Sequence, residues 1–79
     1  MSAAADGLVA GVDVGGTKVL GVLVDPDDPG TVVGEHRVPT PAGAPAVLDA
    51  IAEVVRELDA GPASARERRV TSVGVGIAG

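Results

Sequence analysis

Leu8-Val9-Ala10-Gly11-Val12-Asp13-Val14-Gly15-Gly16-Thr17-Lys18-Val19-Leu20-Gly21-Val22-Leu23-Val24 is the stretch that decides how this chain of 79 residues folds. Residues 8–14 and 19–24 are dense in β-branched and aliphatic side chains, and their composition and length point to two strands. Only Gly15, Gly16, Thr17 and Lys18 lie between them, so the connection is a tight reversal. Glycine takes positive φ without steric cost, and the expectation is that Gly15 and Gly16 use that freedom to turn the chain.

The same four residues carry chemistry. Without a Cβ, Gly15 and Gly16 let an anion approach backbone N–H groups closely; Thr17 adds a hydroxyl donor and Lys18 a positive charge. Asp13 ends an otherwise apolar strand, where an ionised carboxylate is costly unless water, hydrogen bonds or a cation compensate it. Magnesium takes oxygen ligands, keeps several waters and is often held by one or two carboxylates plus substrate phosphates, which suits Asp13 directly or through water. Phosphoryl transfer asks a protein mainly to position groups and offset charge on phosphate oxygens. The plainer reading is a hairpin in which the glycines only turn the chain, Asp13 is solvated and Lys18 points at water.

Two other nucleotide motifs fail. A Walker loop needs Gly-Lys followed by Ser or Thr, whereas the order here is Gly16-Thr17-Lys18-Val19. Gly74-Val75-Gly76-Ile77-Ala78-Gly79 has the Gly-x-Gly-x-x-Gly spacing of dinucleotide turns and follows a strand-like run. It lacks the helix and the distal acidic residue that give the pattern meaning.

Past the second strand, residues 25–30 (Asp-Pro-Asp-Asp-Pro-Gly) are turn formers and predict a loop. Their three carboxylates lack the spacing and distal glutamate of an EF-hand. Residues 31–38 predict a third strand with a polar stretch, Glu35, His36 and Arg37, in which His36 reads as solvated because no nucleophile and base pair accompanies it. Residues 39–44 predict a loop, and Pro45 suits a helix's first turn. Leu48, Ile51, Val55 and Leu58 then recur at helical spacing, opposite Asp49, Glu53, Arg56 and Glu57, and are expected to pack on the sheet. Gly61-Pro62 is expected to end the helix. Residues 63–69 form a polar connection, with Arg66, Arg68 and Arg69 read as solvated, and residues 70–77 a fourth strand, parallel to a neighbour across the helical crossover.

Composition narrows the class. A formal net charge of -5 argues against nucleic acid, whose binding needs basic patches. Neither a secretory signal nor a membrane span is legible, and the expectation is a cytoplasmic protein. No cysteine and no aromatic residue is present, so disulfides, a thiolate zinc site and large core side chains are excluded. A chain near this size buries only about 60% of its unfolded surface. Because it stops inside a glycine-rich run, it reads as the N-terminal piece of something longer.

Asp13-Val14-Gly15-Gly16-Thr17-Lys18 resembles the Asp-x-Gly-Gly-Thr-Lys signature of ROK family sugar kinases in the actin and hexokinase superfamily, and residues 73–79 resemble, more weakly, a glycine-rich strand end of the same family near its sugar and phosphate cleft. The resemblance implies an α/β fold, a partial ribonuclease-H-like (actin-like ATPase) half-domain of order β-β-β-α-β, with residues 1–79 forming the N-terminal part of a nucleotide-binding sugar kinase domain. It further implies ATP and Mg2+ as cofactors, a hexose such as glucose as substrate, Asp13 orienting the metal, and Gly15, Gly16, Thr17 and Lys18 holding phosphate. The family's catalytic aspartate and zinc cluster are expected downstream, so no catalytic base is assigned within these residues, and self-association of the whole enzyme stays open. The polypeptide by itself is expected to be inactive and to fold poorly. Two alternatives compete with this reading: a ROK-type transcriptional repressor, for whose DNA-binding segment the position of Asp13 is expected to leave no room, and a nonenzymatic interaction module complete at 79 residues.

Overall fold

The computed structural model describes residues 7–77. Three strands, β1 (Gly7–Val14), β2 (Lys18–Asp25) and β3 (Asp28–Pro39), run in antiparallel succession. The helix α1 (Ala44–Leu58) then crosses over to β4 (Arg69–Ile77), which pairs parallel with β1. The sheet order is β3-β2-β1-β4. A strand joined to a parallel neighbour needs such a crossover, whereas the antiparallel pairs need only short turns. This is the expected β-β-β-α-β order.

Alternation along the strands sorts side chains between two faces. Leu8, Ala10, Val12 and Val14 of β1 and Val19 and Leu23 of β2 are buried, and Ala50, Val54 and Leu58 of α1 cover them. Between Val19 and Leu23, Gly21 leaves the gap into which α1 settles: a Cβ there would lie 2.2 Å from Val54 Cγ1 and 3.0 Å from Leu58 Cδ1. The buried line is therefore not the predicted one. Ile51 and Val55 flank it half-buried and Leu58 belongs to it, but Leu48 is 66% exposed and Val54, unremarked in the sequence, is fully buried.

Four further expectations change. The helix does not stop at Gly61-Pro62: a π turn (Asp59–Ala63) carries the chain through both residues, with the Ser64 N–H donating to the Asp59 carbonyl. Proline lacks the N–H that a regular helix would use. Its ring instead packs on Gly34 of β3, where an added Cβ would fall 2.4 Å from Pro62 Cβ. The helical segment ends at Glu67, which sits at φ 57; its N–H donates to the Ser64 carbonyl and the Arg68 N–H to the Ala63 carbonyl. That bond pair is a Schellman terminus.

Residues 25–30 hold a shorter turn than predicted. β3 begins at Asp28, and the Asp27 N–H donates to Asp25 Oδ1 at 2.9 Å. Pro29 lies inside β3, which an edge strand tolerates. Arg68 is not solvated: its guanidinium donates to Asp25 Oδ2 at 2.7 Å and to the Gly7 carbonyl at 3.1 Å, tying the start of β4 to the ends of β1 and β2. His36 is half-buried rather than open to water. Among the described residues no helix is long and apolar enough to cross a membrane.

Candidate functional site

Asp13 reaches its place because β1 alternates. Val12 and Val14 point into the core, and the residue between them is turned to the face that α1 leaves bare, where it is exposed. Register places Leu20 on one side of it and Gly76 on the other, and Leu20 in turn faces Arg37. A row of Arg37, Leu20, Asp13 and Gly76 thus crosses the uncovered face. A Cβ on Gly76 would meet nothing within 4 Å, so the β4 side of Asp13 is open. No hydrogen bond or ion pair from the described residues engages the Asp13 carboxylate.

The reversal after β1 is closed by hydrogen bonds rather than by unusual backbone angles. The Gly15 N–H donates to the Lys18 carbonyl at 2.9 Å. From the far end of β3, the Thr40 hydroxyl donates to the Gly15 carbonyl at 2.7 Å and the Thr40 N–H to the Thr17 carbonyl at 3.1 Å. Neither Gly15 nor Gly16 has positive φ, contrary to expectation; among described glycines that conformation belongs to Gly43, at φ 92 before α1. With the carbonyls of Gly15, Thr17 and Lys18 engaged, the N–H groups of Gly16 and Thr17 have no partner among the described residues.

Gly16 is informative for what it does not do. It is not needed for φ, and a Cβ there would meet nothing within 4 Å. The fold alone has no requirement for glycine at this position, and the space beside its bare Cα is open. At Gly15 the same Cβ would come to 3.3 Å from the Lys18 carbonyl oxygen, a tight fit set by the turn itself.

Beside the loop, Thr17, Lys18, Arg37, Val38 and Pro39 line an open concavity of about 360 Å³. Two cations and a hydroxyl there make an environment for an anion. Arg37 and Thr40 were not singled out in the sequence as site residues. The alternation of β3 could have placed Arg37 on the face of Lys18, but the bonds of Thr40 span 25 residues and leave no local signal. A larger groove of about 620 Å³ between α1 and β4 has Arg56 and Asp59 in its lining, and Asp59 Oδ1 already accepts from the Val70 N–H at 2.9 Å. The smaller concavity adjoins the loop and is the chemically equipped one.

Among the described residues no group of three or more His, Asp or Glu side chains could hold a metal alone. A cation at Asp13 would take its remaining ligands from water and a bound phosphate, which is magnesium's habit; the residues present fit that group. In the glycine-rich run at the other end, residues 74–77 continue as strand in β4 rather than as a turn, while Ala78 and Gly79 lie outside the described residues.

A β-β-β-α-β unit with an acid, two glycines and a threonine at its first reversal is an arrangement matched by the N-terminal part of the actin-like fold of a ROK glucokinase. A solved structure of a ROK family glucokinase from Streptomyces griseus, in complex with glucose and AMPPNP, matches 92% of the chain at a TM-score of 0.71 and 38% identity, over 21% of its own length. The glucokinases of Streptomyces coelicolor and Streptomyces lividans are each 40% identical to it over 73 residues, 92% of this chain and 20% of theirs. The chain spans about a fifth of the length of these relatives and is similar to the N-terminal part of a ROK glucokinase. No family model matches it.

Proposed function

We propose that residues 1–79 form the N-terminal part of the nucleotide-binding domain of an ATP-dependent sugar kinase that transfers the γ-phosphoryl group to a hexose, with glucose as the leading substrate and the cytoplasm as its location. The observation that carries this is the loop: N–H groups at Gly16 and Thr17 without partners among the described residues, clearance at Gly16, and an exposed Asp13 carboxylate near the end of the strand that enters it. The likeness to a structure holding glucose and a nucleotide analogue supports it.

Bound at this loop, the nucleotide and its magnesium would supply the transferable phosphoryl group and a charge to stabilise it. For the chain's own part, Gly16 and Thr17 donate N–H bonds to phosphate oxygens, Gly15 shapes the turn behind them, the Thr17 hydroxyl adds a donor and Lys18 adds positive charge. Asp13 accepts from the metal's waters or ligates it. Taking the proton from the sugar hydroxyl falls to a residue outside these 79.

The test is the whole kinase that carries this segment. Asp13→Ala is expected to lower kcat by about 10²- to 10³-fold, on the scale of losing one preorganised electrostatic group, and to raise the magnesium concentration needed for half-maximal rate. Unchanged turnover with an unchanged magnesium requirement would end the proposal.

A further inference from the structure

We infer that Thr40 is a positioning residue for the nucleotide: it latches the loop after β1 in the conformation that leaves the Gly16 and Thr17 N–H groups without a partner among the described residues. This rests on the phosphate-loop reading above and assigns a role to a residue outside that loop.

The geometry is specific. Thr40 is half-buried and uses both of its donors on the same loop, the hydroxyl on the Gly15 carbonyl at 2.7 Å and the N–H on the Thr17 carbonyl at 3.1 Å. These carbonyls flank Gly16. The Gly15 carbonyl shares a rigid peptide plane with the Gly16 N–H, so holding the one points the other away from Thr40, and the Thr17 carbonyl holds the Thr17–Lys18 plane, which leaves the Gly16–Thr17 plane bracketed between two fixed ones. A loop held this way presents its N–H groups to an anion without first turning a carbonyl oxygen away, which would otherwise repel phosphate.

The sequence around Thr40 fits a strut. Pro39 and Pro41 enclose it. Proline fixes its own φ near −65° and drives the preceding residue toward extended backbone, so Val38 and Thr40 are both restricted. The register of β3, with Pro39 opposite Lys18, delivers this stiff segment to the mouth of the loop. Threonine supplies a donor on a side chain stiff at χ1; valine has the same shape and no hydroxyl.

The experiment uses the whole kinase and compares Thr40→Val, Thr40→Ser and Gly16→Ala by steady-state kinetics with ATP and glucose varied separately. Thr40→Val is expected to raise the KM for ATP about five- to tenfold, the worth of one hydrogen bond, with the KM for glucose within twofold. Thr40→Ser, which keeps the hydroxyl, should restore the ATP value to within about twofold of wild type on the same scale. If Thr40→Val leaves the ATP KM unchanged while Gly16→Ala raises it, the latch is wrong and the phosphate loop stands. If neither changes it, the loop reading fails and the latch with it. Wild-type protein gives an arm that no folding defect can spoil: amide hydrogen exchange at Thr40 should slow when AMPPNP is added and not when glucose is added, and an exchange rate indifferent to AMPPNP refutes the latch.

Discussion

Arg68 and Asp25 show how a single side chain can close a fold that has few large residues. The guanidinium meets both Asp25 oxygens and the Gly7 carbonyl, so one residue at the start of β4 gathers the ends of three strands. The Arg68 hydrogen bond, then the Asp27 N–H, hold the Asp25 carboxyl below its ordinary value near 3.8. A carboxyl depressed in the folded state contributes stability that is present above its unfolded pKa and is lost as pH falls toward the folded one. Asp25→Asn should therefore lower the thermal midpoint of the proposed full-length kinase at pH 6, and the gap from wild type should close as pH drops below about 4. A gap independent of pH would show that the charge contributes nothing. Added salt should narrow the gap at pH 6, because the pair is only half-buried.

At the scale of elements, the helix and sheet meet through a cleft made by absence. Gly21 carries no side chain where Val54 and Leu58 descend, so α1 lies close to β2. Gly21→Ala would bring its Cβ within 2.2 Å of Val54 Cγ1, and overpacking of this kind costs about 1–3 kcal/mol. Residues in contact do not add independently. Val54→Ala introduced on top of Gly21→Ala should therefore cost less than Val54→Ala alone, as read by denaturant midpoints in a double-mutant cycle; strict additivity would mean the two side chains do not share that space.

The same packing explains what the sequence could and could not disclose. Strand content, the hairpin and the crossover were legible because apolar runs and glycine-proline punctuation are local. The rotation of α1 was not. Residues 47 and 48 are both apolar, as are 54 and 55, so helical spacing admits two neighbouring stripes, and only the cleft at Gly21 selects the one through Val54. Pro62 reads as a helix stop until Gly34 offers its ring a seat. Asp13 and the glycine pair were visible because they are contiguous. Thr40 was not, since its meaning lies in carbonyls 25 residues away.

For the molecule as a whole, the decisive fact is how much apolar surface the described residues leave uncovered. Val73, Val75 and Ile77 of β4 share cross-strand rows with the buried Ala10, Val12 and Val14, yet they are 46%, 49% and 77% exposed because α1 does not reach them. β4 is also an edge strand, and on the opposite face Val9, Leu20, Val22 and Val24 are only half-buried. Edges with apolar flanks invite pairing with other chains, and a sheet needs cover on its apolar faces to be stable. Val75→Glu with Ile77→Glu should consequently act with opposite sign in two settings. In the isolated 79-residue chain, which is expected to associate at micromolar concentrations, the pair should raise the monomer fraction measured by light scattering, since charge on an edge blocks pairing. In the proposed full-length kinase, if further residues cover β4, the same pair should destabilise by several kcal/mol, because each unpaired carboxylate would be buried. A 79-residue chain that is monomeric and unfolds cooperatively without these substitutions would overturn this, because the surface now bare would then need no cover.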